Sequence, residues 1–155
     1  MRICYDLYIW YPSRRHAFNH SKTIPVVGIT NYDYCSNVYW LLGEVDHKNI
    51  DINNVKDRCY MIVETRKGYH FYFKEHDTNP LRLIHKALKK YKWLDKHHLY
   101  MGLRRYRRTN DIKNAFLVLR ISPKYEKPDL KIIYIDNSLP VFHRQILSLI
   151  QSLNS

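Results

Sequence analysis

Residues 59–73 read CYMIVETRKGYHFYF. Two runs rich in β-branched and aromatic residues, Cys59 to Glu64 and Tyr69 to Phe73, are separated by Thr65-Arg66-Lys67-Gly68. That is the pattern of a β-hairpin. Gly68 is expected to supply the positive φ that a hairpin turn often requires.

With this hairpin in place, the flanking sequence falls into further strands. Residues 2–10 alternate, with Ile3, Tyr5, Leu7 and Ile9 on one face and Cys4, Asp6, Tyr8 and Trp10 on the other. Residues 23–29, 38–46, 115–121 and 130–135 read as four more strands, and polar residues 48–57 as a turn or short helix. Leu81, Ile84, Leu88 and Tyr91 recur at helical spacing behind Pro80, which suits a first helical turn. Phe142, Ile146, Leu149 and Leu153 mark a last helix, for which Ser138 is the expected cap. Residues 93–111 are very basic and fit no element by pattern. Strands outnumber helices, so the expected fold is α+β: one domain over residues 1–155, with a single, largely antiparallel sheet and helices packed on one face.

The chain has 155 residues, 45% of them hydrophobic, with 26 Lys and Arg against 14 Asp and Glu, a net charge of +12. So large an excess attracts polyanions. The cations are interleaved with aromatics able to stack on bases, which points to DNA or RNA as partner. No run approaches the roughly 20 apolar residues of a membrane span, and the N-terminus reads as a strand and not a signal peptide, so an intracellular, cytoplasmic protein is expected. Cys4, Cys35 and Cys59 are odd in number and widely spaced. They are expected to be buried, reduced and unpaired. His16 and His20, in a basic loop over residues 11–23, lack partners for a zinc site.

Three stretches can carry chemistry. Glu44 and Asp46 end the strand VYWLLGEVD, and carboxylates at i and i+2 of a strand share a face where they can hold Mg²⁺ or Mn²⁺. Arg66, Lys67 and Gly68 form a cationic turn leading to His70, suited to a phosphate chain. KIIYID ends a hydrophobic strand in Asp136. Arg120 is an unusual cation within FLVLRIS, and Lys124 lies just beyond it; one of the two is expected to touch nucleotide or template. The block Arg104-Arg105-Tyr106-Arg107-Arg108 reads as a strand-tracking surface, with guanidinium groups on phosphates and Tyr106, Trp93 and Tyr100 available to bases.

In this order, Glu44-x-Asp46, Gly68-Tyr69-His70 and hydrophobic-Asp136 resemble the catalytic core of the archaeo-eukaryotic primase superfamily, in a minimal form of plasmid or virus type. The resemblance covers residues 38 to 136. It implies an RRM/ferredoxin-like core and a metal-dependent nucleotidyltransferase of a replication system. Glu44, Asp46 and Asp136 would hold two metals, and His70, with Arg66 or Lys67, would hold the triphosphate. Glu44 stands where many members have Asp, and no zinc-binding insertion is present. Two alternatives remain open at this point. One is a metal-dependent nuclease using Glu64 and Lys67 with Asp46, Asp51 or Asp57 upstream; the other is a non-catalytic binder stacking bases on Phe71-Tyr72-Phe73.

Overall fold

The computed structural model describes residues 2–11, 25–124 and 129–155; the expected basic loop with His16 and His20 lies largely outside them. Among the described residues eight strands form two antiparallel sheets, where the sequence suggested one. The smaller sheet contains β1 (Leu7–Trp10), β2 (Val26–Thr30) and β7 (Val118–Arg120), in the order β1-β2-β7. The larger contains β3 (Tyr32–Asp33), β4 (Val38–Val45), β5 (Cys59–Glu64), β6 (Tyr69–Asp77) and β8 (Lys131–Ile135), in the order β3-β4-β6-β5-β8. β4 and β5 both run antiparallel to β6, which lies between them. The link from β4 to β5 carries two 3-10 turns, Ile52–Asn54 and Lys56–Arg58.

One residue joins the sheets. Asn31 sits between β2 and β3: its backbone N–H donates to Leu117, its carbonyl accepts from Trp40, and its carboxamide pairs with the Leu117 N–H and the Trp40 carbonyl. An amide side chain that satisfies two backbones at once lets the chain leave one sheet and enter the other without burying an unpaired group.

Three helices follow: α1 (Pro80–Lys90), α2 (Lys96–Thr109) and α3 (Val141–Leu153). Pro80 does open α1, capped by the Asn79 side chain. α2 occupies the basic stretch that had no apolar period, and buries only Leu99, Gly102 and Leu103. Ser138 does not cap α3, whose N-cap is Pro140 with no side-chain bond. The helices cover both faces of the larger sheet, not one. Phe73 stacks on Tyr91 at 4.5 Å and Phe71 meets Trp93 at 5.1 Å, while Tyr72, pointing the other way by strand alternation, meets His143 of α3 at 6.5 Å. Among the described residues no helix is long and apolar enough to cross a membrane.

Cys4 and Cys35 form a disulfide, so the expectation of three unpaired cysteines holds only for buried Cys59. The two are 31 residues apart in sequence but their Cα atoms lie 5.1 Å apart, because β1 and β3 are brought together at the junction of the sheets.

Candidate nucleotide and nucleic-acid site

Gly68 sets the geometry. A Cβ at this position would stand 1.8 Å from the Val45 carbonyl oxygen and 2.9 Å from the His47 nitrogen. Its φ is not positive, contrary to the hairpin expectation; what the site needs is the missing side chain. The turn closes on itself, with Thr65 N–H donating to the Gly68 carbonyl and Gly68 N–H to Thr65 Oγ1, both at 2.9 Å. Arg66 and Lys67 are exposed at its tip, directly beside the end of β4 that carries Glu44 and Asp46.

Glu44 and His70 are opposed residues of β4 and β6, with Oε2 to Nε2 at 3.5 Å. The Glu44 side chain keeps 26% of its exposure and that of His70 only 7%. Burial works to raise the Glu44 pKa, but the His70 hydrogen bond and the nearby His98 ring outweigh it and hold the carboxyl at about 2. His98 donates Nε2–H to the Val118 carbonyl at 2.8 Å, tying α2 to β7. Asp95 donates its backbone N–H to the Glu44 carbonyl at 2.9 Å, and its carboxylate caps α2. The sequence reading had missed His98 and Asp95. An Asp directly before a helical run is the signal that would have flagged the second.

Arg120 ends β7, and Lys124 lies just beyond it. Arg120 forms a two-pronged pair with Asp129, at 2.9 and 3.0 Å, and donates to the Ser122 carbonyl at 2.8 Å. Its charge is therefore spent on an acid. Lys124 is half-buried, and burial, with repulsion from Arg120 and Lys67, lowers its pKa against the pull of Asp46 and Asp129. Asp46, Lys67 and Arg120, up to 78 positions away in the chain, thus all lie near enough to Lys124 to act on its charge.

Asp136 does not join them. It follows β8, whose Ile132 pairs with Val63, the partner of His70; Asp136 lies four residues farther along, about 13 Å by the strand rise of ~3.3 Å per residue. There its carboxylate accepts from Ser138 N–H at 3.0 Å and Oγ at 2.7 Å, and pairs with Lys74 Nζ at 2.9 Å. The Ser138 N–H, then Lys74, hold its carboxyl well below the usual range. The three-carboxylate, two-metal set therefore does not assemble. What remains as candidate ligands is Glu44 with Asp46, the latter just past the end of β4. Among the described residues the cluster close enough to hold an ion is Cys4, Asp33 and Cys35, and its two sulfurs are bonded to each other.

The basic block divides. Arg104, Arg107 and Arg108 are exposed on α2, on the side that also presents Tyr100 and Met101. Arg105 instead lies 4.2 Å over the Phe116 ring and donates to the Phe116 carbonyl, and burial lowers its pKa. Tyr106 is half-buried and packs against the core. Neither is placed to meet a strand as expected, and Trp93 is also committed, against Phe71 and Phe73. The residues of the two alternative readings are engaged to different degrees. Phe71, Tyr72 and Phe73 are fully buried and offer no stacking platform. Glu64 is paired with Lys48 at 3.1 Å.

No protein-family model, curated protein or solved structure matches this chain.

Proposed function

We propose that this protein binds nucleic acid and takes a nucleoside triphosphate, by its phosphates, at the mouth between the end of β4, the Thr65–Gly68 turn and the end of β7. The observation that carries this is the packing of the Thr65–Gly68 turn against the end of β4, beside the Glu44–His70 pair, with Lys67 and Asp46 near enough to half-buried Lys124 to act on its charge. Lys67 and Lys124 neutralise phosphate charge, and a half-buried lysine does so more strongly than a solvated one. Glu44, ionised throughout the physiological range, and Asp46 supply oxygens to one divalent cation. Such a cation, when bound, bridges phosphate oxygens and offsets their charge. His70, nearly enclosed, acts by holding Glu44.

The order of Glu44, Asp46, Gly68 and His70 along the chain supports a primase-polymerase-like core, although the β4–β5 link carries 3-10 turns and not a crossover helix. Two-metal nucleotidyl transfer requires a third carboxylate, which Asp136 does not supply. The exposed arginines of α2 give the path for the polynucleotide.

Titration of a fluorescent ATP or dATP analogue, with and without Mn²⁺, tests this reading. Lys124→Ala and Lys67→Ala should weaken binding, and Glu44→Gln should remove the gain that Mn²⁺ brings. Affinities unchanged in all three variants would end it.

A further inference from the structure

We propose that a second groove, at the β3 edge of the molecule, seats unstacked bases of single-stranded nucleic acid; this rests on the nucleic-acid reading above but not on the nucleotide site. The groove encloses about 730 Å³ between the two sheets, and its walls include Tyr32, Tyr34, Tyr39, Ile112, Lys113 and Phe116. Its volume lies within the range of sites that hold a drug-sized planar molecule.

Aromatic rings line it in fixed poses. Tyr34 stands edge-on to Tyr32 at 4.8 Å, and Tyr39, tilted by 55°, also lies 4.8 Å from Tyr32. The Tyr34 hydroxyl donates to Asp6 and the Tyr32 hydroxyl to Asn37 at 3.1 Å, so both rings are held before any ligand arrives. Tyr34 is nevertheless 40% exposed, as is Ile112. Pre-set rings lose little entropy on binding, and base stacking on such faces tolerates any sequence.

Charge selects the occupant. Asp6, in the wall, keeps its charge while it accepts from Tyr34, and the exposed Lys113 on the rim offsets it. Lys113 follows the last turn of α2, where Arg107 and Arg108 are exposed. Aromatic faces beside a run of exposed cations, on a chain of net charge +12, suit a single strand better than a neutral ligand or a duplex whose bases stay stacked. Tyr39 stands five residues before Glu44 on β4, about 17 Å at the usual rise, so this seat is distinct from the nucleotide mouth.

The test compares a 12-nucleotide oligothymidylate with a duplex of equal length. Tyr34→Ala should weaken single-strand binding about five- to 150-fold, the range of one lost stacking contact, without changing its salt slope. Tyr34→Phe, which keeps the ring, should restore most of the affinity, and neither change should alter duplex or mononucleotide binding. Photo-crosslinking of 5-iododeoxyuridine oligonucleotides to the unaltered protein should map to Tyr32 or Tyr34, which serves if a variant misfolds. Unchanged single-strand affinity in folded Tyr34→Ala, an equal loss on duplex, or crosslinks confined to other surfaces would overturn the proposal. Loss of mononucleotide binding in Lys124→Ala reports separately on the other site.

Discussion

Gly68 and Val45 touch backbone to backbone, and that contact sets the Arg66-Lys67 turn against the end of β4. Gly68→Ala forces a methyl onto a carbonyl that has no room to yield. It should cost about 1–3 kcal/mol or more, as overpacking does. Urea unfolding gives the stability, and a fluorescent nucleotide gives the affinity. A variant as stable and as tight as the parent would contradict the role given to this contact.

Asp136 serves as the internal control for the carboxylate site. Asp136→Asn breaks the pair with Lys74, a partly exposed bridge of the kind that contributes about 0–1 kcal/mol. Nucleotide affinity and its Mn²⁺ dependence should not change, whereas Glu44→Gln should alter both. Parallel titrations of the two variants decide between a site centred on Glu44 and one that reaches Asp136.

The salt dependence of oligonucleotide binding should divide the arginines of α2. Replacing Arg104, Arg107 and Arg108 together should lower the slope of log affinity against log salt by about two to three units, at ~0.7 to 0.9 per phosphate contact. Adding Arg105→Ala should not lower it further, because that guanidinium is spent on Phe116. Its replacement should instead reduce thermal stability.

His143 is fully buried among Trp40, Tyr60 and Tyr72, and neither ring nitrogen has a partner among the described residues. Burial lowers its pKa to about 3, and Asp33 opposes this weakly. The unfolded chain, with an ordinary histidine near 6.5, binds the proton more readily. Stability should therefore be full above pH 6.5 and fall as pH drops from there toward 3. His143→Leu should flatten the decline between pH 6.5 and 5, where carboxylates contribute least, and should add about 1–3 kcal/mol by removing unpaired polar atoms. Melting temperatures at pH 7 and 5 measure both effects.

The hairpin was legible because its two runs are rich in β-branched and aromatic residues and its turn carries glycine, and the strand over residues 38–46 because it is a similar apolar run. The division into two sheets was not, since it depends on Asn31, which looks like any turn residue until its partners Leu117 and Trp40 are known. Helix α2 was hidden because so few of its residues face the core. Glu44, Asp46, His70 and Lys67 could be named because each belongs to a local pattern. Asp136 misled because a hydrophobic strand ending in Asp describes equally well a ligand and a turn that binds its own Ser138. The Cys4–Cys35 bond could not be read from a spacing of 31 residues.

Asn31 also acts as a gauge block. Lys124 follows the smaller sheet, and Glu44 and His70 belong to the larger one, so the width of the mouth is the offset between the sheets. Four hydrogen bonds from one residue, at the far end of β4 from Glu44, set that offset. Asn31 lies away from the charged groups of the mouth, yet its bonds help to set how those groups are spaced. Asn31→Ala would release the gauge while leaving every charged group of the mouth in the chain.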